Sequence, residues 1–141
     1  MKFIDPTQDP WHLQSTHRLR SWTQWQAEGE SCIPTQFVGL HLANDEDVFT
    51  FREELARWSL ITLDFPKWTD GRAYSQARLL RTRLHYRGAL RATGDVRVDM
   101  VPLLQRTGFD EVQLAPGESP QVALQALQLQ PTATLWDRWA A

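Results

Sequence analysis

The stretch Asp64-Phe65-Pro66-Lys67-Trp68-Thr69-Asp70-Gly71-Arg72 gathers two carboxylates, an ammonium and a guanidinium within nine residues. Asp64 or Asp70 beside Lys67 would be the minimum for acid and base work on a small metabolite. Gly71 and Arg72, with Gly94, Asp95 and Arg91 further on, suit a different task. A glycine where a helix begins lets backbone N–H groups approach an anion, and arginines supply bidentate, charge-assisted bonds. A helix N-terminus gives an anion only about 0.3–1 kcal/mol, whereas millimolar binding needs about 4 kcal/mol. An oxyanion site here therefore depends on Lys67, Arg72 and Arg91. For Asp70 and Asp95 the competing role is helix capping, and for Asp64 it is a salt bridge to Arg72 or Arg91.

Other chemistries find less support. His12 and His17 are five apart, and His41 and His85 have no Cys or carboxylate at ligand spacing, so no metal site is expected. Ser75 follows the turn without a nucleophile elbow, and neither G-x-G-x-x-G nor a P-loop occurs. Cys32 is the single cysteine, which excludes a disulfide framework and leaves no resolving thiol. No cofactor is expected. The sequence start has no charged-then-apolar signal pattern, and no apolar run approaches the ~18 residues of a membrane span. A cytoplasmic protein is the expectation.

These residues must be positioned by one domain of ordinary composition, 141 residues with 42% hydrophobic and 23% charged. Its net charge is only −2, but residues 67–97 hold eight basic side chains against two acidic ones, a net of +6, leaving −8 elsewhere. The asymmetry suits an anionic ligand or an acidic partner surface; a solvated helix face paired with acids elsewhere is the competing reading. With the remaining surface acidic and no stacking motif, nucleic acid is not an expected partner.

Apolar runs and turn signals give strand then helix four times over. Strands are expected at residues 37–42, 59–65, 89–93 and 111–115. Helices are expected with Val48, Phe51, Leu55 and Trp58 on one stripe, capped by Asn44 or Asp45; from the TDGR turn to His85 or Tyr86; after Gly94-Asp95, with Pro102 forcing a kink or a later start and Gly108 closing it; and from Ser119-Pro120. A short helix around residues 16–27 precedes them. The fold class is α/β, a small parallel sheet or partial barrel of about four strands with flanking helices. Residues 1–35 read as an irregular or helical arm packing on the core, 36–130 as the βα-repeat core, and 131–141 as a tail. Two open sheet edges would be covered by the arm or by a second copy, so a homodimer is expected. In a parallel sheet every βα turn falls at the carboxyl ends of the strands, which brings residues 43–45, 64–72, 93–95 and 116–119 to one rim.

The string from Asp64 to Phe109 also carries a family resemblance. It is similar to small bacterial proteins called domain of unknown function 934. Their core reads approximately Asp-Phe-Pro-Lys-Phe-Thr-Asp-Gly-Arg-Gly-Tyr-Ser, then an Arg-rich helix, then Gly-Glu-Leu-Arg-Ala-x-Gly-Asp-Val. Matching positions are Asp64, Phe65, Pro66, Lys67, Thr69, Asp70, Gly71, Arg72, Tyr74 and Ser75, then Gly88, Leu90, Arg91, Ala92, Gly94, Asp95 and Val96. Ala73 and His85 stand where that family often has Gly, Thr107 where it often has Cys, and Pro102 is unusual. The resemblance implies a role beside sulfite reductase in assimilatory sulfate reduction. The expectation is a non-catalytic accessory protein binding a small oxyanion or a partner, such as sulfite reductase or another sulfur-assimilation enzyme, through Lys67, Asp70, Gly71, Arg72, Arg91, Gly94 and Asp95. The alternative is a small enzyme using Asp64, Lys67 and Asp70 on a sulfur- or phosphate-containing metabolite.

Overall fold

A computed structural model describes residues 1–14, 16–28 and 37–129. Cys32 and the tail of residues 131–141 lie outside them. The apolar runs form strands where expected: β3 (Phe37–Leu42), β4 (Leu60–Phe65), β5 (Ala89–Gly94) and the shorter β6 (Glu111–Val112). The expectation of about four strands is corrected to six by β1 (Lys2–Phe3) and β2 (His17–Ser21). All pair in parallel, in the order β1-β6-β5-β4-β3-β2. From β2 to β6 each strand lies beside its predecessor, the progression of a barrel left open between β1 and β2. Both edges are thus supplied by the first 21 residues.

The helices are α1 (Pro10–Leu13), α2 (Trp22–Glu28), α3 (Arg72–Thr82), α4 (Val101–Thr107) and α5 (Pro120–Gln128). One continuous core joins alternate strand residues Leu40, Leu42, Ile61, Leu63, Leu90 and Ala92 to the inward faces of α2, α3, α4 and α5. Leu60 belongs to the opposite face of the sheet, yet it is only 1% exposed. There Trp11 of α1 packs over Gly39 beside Leu19, giving the short N-terminal segment a small apolar contact of its own.

The helix expected around residues 16–27 begins only at Trp22, because residues 17–21 form β2, and two further helices differ from expectation. Val48, Phe51, Leu55 and Trp58 do face the core, but on two 3₁₀ turns, Val48–Phe51 and Leu55–Arg57, the first capped by Asp47 rather than Asn44 or Asp45. Positions seven apart stand about 10 Å apart along an α-helix; here the Phe51 and Trp58 rings come to 6.3 Å and both meet Trp22 edge-on. The break between the two turns lets the chain bend so that the three rings converge. The second case is α3, which stops at Thr82 because His85 takes a left-handed backbone, φ 54°. Pro102 is accommodated by a later start: a 3₁₀ turn over Val98–Met100 precedes α4, whose first turn holds the proline. Gly108 (φ 116°) ends α4, and Ser119 caps α5 by accepting from the Val122 N–H.

Arg81 ties these ends together. It is 3% exposed and donates to the carbonyls of Gly108, Tyr86 and Gly88 and to Asp110. One residue of the basic segment is therefore a buried clip joining α3 to the entrances of β5 and β6.

Candidate functional site

The turns at the carboxyl ends of the strands are neighbours. Asp64 pairs in register with Thr93 and Phe65 with Gly94, and the Asp95 N–H donates to the Phe65 carbonyl at 2.7 Å. Side chains then stitch consecutive turns. Asn44 Nδ2 donates to Asp70 Oδ2 at 2.8 Å, joining the turn after β3 to the turn after β4. The Trp68 N–H donates to Asp95 Oδ2 at 3.0 Å, joining that turn to the one after β5. The Val98 N–H donates to Glu118 Oε2 at 3.2 Å, joining the third turn to the fourth. Gln76 of α3 reaches back to the carbonyls of Ala43 and Glu46 at 2.8 and 2.9 Å.

This stitching occupies most of the candidate carboxylates. Asp70 accepts from the Arg72 N–H and from its guanidinium at 2.8 Å, and these bonds hold its carboxyl far below the usual carboxylate range. Asp70 is thus an anion at neutral pH and a poor proton acceptor. Asp95 accepts from Trp68 and from Arg97 Nε at 3.3 Å. Asp64 is half-buried on the sheet face opposite α2 to α5, and the salt bridge to Arg72 or Arg91 expected as its competing role is not formed: those arginines pair with Asp70 and with Asp9 and Glu111.

Arg91 does not reach the rim. It is buried in mid-strand, with Nη1 donating to Asp9 at 2.8 Å and Nε to Glu111 at 2.8 Å. Its neighbours on that face are Thr62, 1% exposed, and beyond it His41, whose Nδ1 lies 2.6 Å from Thr62 Oγ1. This polar row of the sheet was not singled out in the sequence, although His41 and Thr62 sit at alternate positions of apolar strands, a pattern that places both on one face.

Outward the rim presents Lys67, Trp68, Arg72 and Arg97, with the exposed Asp45 close enough to Arg72 to act on its charge. Lys67 is exposed, with no ion pair among the described residues. Trp68 is 53% exposed, and the Arg97 guanidinium lies 5.8 Å from its ring. The Arg72 side chain is 61% exposed despite its pairing with Asp70. Gly71 and Gly94 are exposed in their turns. Trp68 and Arg97 are the contributors missed in the sequence; a large indole between Lys67 and Thr69 in a polar turn was the available signal. Among the described residues no three His, Cys, Asp or Glu side chains gather as metal ligands, and no helix is long and apolar enough to cross a membrane.

Gly94 is fixed by geometry. Its φ is +95°, and a Cβ would lie 2.4 Å from the Phe65 carbonyl oxygen and 2.7 Å from Asp64 Oδ1. Gly94→Ala is expected to cost about 2–4 kcal/mol, from the left-handed backbone and the displaced β4–β5 end. Urea unfolding reads this directly, and a cost below about 1 kcal/mol would mean the turn relaxes freely.

No curated protein matches the chain. Residues 39–133, about two-thirds of the sequence and all four rim turns, match the model of one family, so the chain belongs to the family described as bacterial protein of unknown function, DUF934.

Proposed function

We propose that this chain is a non-catalytic accessory protein of sulfite reduction, working in the cytoplasm and docking on an acidic face of a partner enzyme such as sulfite reductase. The observation that carries the reading is the stitched rim, which holds Lys67, Trp68, Arg72 and Arg97 outward on hydrogen-bonded turns. Tryptophan and arginine are the residues most enriched where binding energy concentrates. Neighbouring cations steer an acidic partner and speed the encounter. A small oxyanion would meet Lys67 and Arg72 at the same place, but Arg91 is committed to Asp9 and Glu111. The enzyme alternative retains Asp64 as its one candidate carboxylate without an ion pair among the described residues.

Co-elution of the purified chain with sulfite reductase at low salt tests the reading. Absence of association, together with normal sulfite reduction in a deletion strain, would overturn it. Arg72→Ala is expected to weaken association about tenfold. Folding stability should hardly change, because the Arg72–Asp70 pair is in solvent. An unfolded variant would instead make Arg72 a structural anchor.

A further inference from the structure

At the other end of the sheet, where β4 and β5 begin, a cavity of about 380 Å³ opens between the 3₁₀ segment and the loop that follows α3. That volume is in the range of small-molecule pockets. Its polar walls are Arg52, His85 and Arg87 against the single acid Glu53, and its apolar walls include Leu55 and Leu84. Trp58 also lines it, and the buried indole Nε1–H of Trp58 has no acceptor among the described residues. Buried donors are nearly always met, so an unmet one beside a cavity points to a group the protein does not itself supply.

Two further observations agree. Residue 85 follows the end of α3 in the left-handed conformation that glycine ordinarily provides, yet it is histidine, and it lines the cavity. A strained non-glycine backbone at a cavity wall is a feature of ligand clamps. The lining is also cation-rich, with the guanidiniums of Arg52 and Arg87 against the one carboxylate of Glu53.

We propose that this cavity is a second binding site, for a small organic oxyanion, a carboxylate or phosphate monoester carried on an apolar body. The cations meet the charged end, the apolar side chains hold the body, and an acceptor oxygen meets the Trp58 indole. The site is independent of the rim and of any docking there.

The test is a titration of the whole chain with phenyl phosphate, following the Trp58 indole N–H resonance, with sodium chloride at matched ionic strength as control. A saturable shift with Kd of about 1 mM or tighter, absent with chloride, is expected. Arg52→Gln combined with Arg87→Gln should weaken it at least about tenfold, the loss of one to two charge-assisted bonds. His85→Gly should also weaken it while the melting temperature holds or rises, since glycine relieves the left-handed strain. A shift equal to that of chloride, or one unchanged in the double variant, would overturn the proposal. So would weakening by His85→Gly that is matched by a fall in melting temperature.

Discussion

Replacing Arg91 with methionine is expected to cost about 3–5 kcal/mol at neutral pH, the penalty for leaving carboxylates buried without their cation. At about 2–4 °C per kcal/mol for a chain near this size, the melting temperature should fall by roughly 6–20 °C. The Arg91 side chain is 2% exposed, and those of its partners Asp9 and Glu111 are 3% and 15% exposed. The Arg91–Asp9 contact spans 82 positions of sequence and fastens the α1 segment to the sheet. Replacing all three with apolar residues (Arg91→Met, Asp9→Leu, Glu111→Leu) should recover most of the loss, because the cost arises from unpaired charge rather than from lost volume. The Asp9 position tolerates leucine as far as capping is concerned, since its side chain makes no cap bond to α1. The pH dependence has a definite sign. Burial alone would raise the Asp9 carboxyl pKa, but hydrogen bonds from Arg91 and His12 bring it below the usual value. A depressed folded pKa contributes stability that is present above the unfolded value near ~3.9 and is lost as pH falls through the folded one. The gap between the native chain and Arg91→Met should therefore narrow below about pH 4 in urea titrations. A single-variant loss under about 1 kcal/mol at pH 7 would show that water reaches the carboxylates.

Arg91 also marks what the sequence could and could not convey. The string ALRATG reads as a strand because its apolar residues alternate and turn residues bound it, and the strand is there. The direction of the arginine depends on which neighbours carry acid, and Asp9 arrives from an N-terminal segment with no sustained period. The same segment hid β2. His17-Arg18-Leu19-Arg20-Ser21 has a single apolar residue, which an edge strand can tolerate because only β3 flanks it and Glu28 of α2 meets both arginines. The basic stretch from Lys67 to Arg97 looks uniform as a string. In three dimensions its members part: Arg81 and Arg91 turn inward, Arg72 and Arg97 pair with rim aspartates, and Lys67, Arg78 and Arg83 face solvent. Charge counting averages over such directions, which is why it left an anionic ligand, an acidic partner and a solvated helix face all open.

The rim was more legible. Parallel strands put every following turn on one side, so Thr69 to Arg72 and Thr93 to Asp95 had to meet once β4 and β5 were adjacent. The stitching was not legible, because Asn44 to Asp70 and Trp68 to Asp95 are matched by distance across turns and not by spacing along the chain. It engages Asp70 and Asp95 in fastening the turns, and it transfers the functional emphasis to the side chains left outside.

Trp68→Ala follows from that transfer, and its expected effect is a loss of about 2–4 kcal/mol in partner affinity, roughly 30- to 1000-fold in Kd. The indole offers the largest apolar surface on the rim, and the Trp68 backbone N–H is already held by Asp95, so the ring is presented at small entropic cost. Stability should hardly change, because half of the ring faces water and its stack with Arg97 is an exposed contact worth about 0.5–1 kcal/mol. Trp68→Phe should restore most of the binding, since the buried ring area matters more than the indole N–H. The kinetic signature separates this residue from its charged neighbours. Removing Lys67 or Arg72 should slow association and flatten its salt dependence, whereas Trp68→Ala should speed dissociation and leave the salt dependence intact. Surface plasmon resonance with the partner enzyme immobilised, at two ionic strengths, reads both rates. If Trp68→Ala dissociates like the native chain while Lys67→Ala and Arg72→Ala weaken binding, the contact is electrostatic and the indole lies outside it; if all three bind like the native chain, the rim is not the docking face.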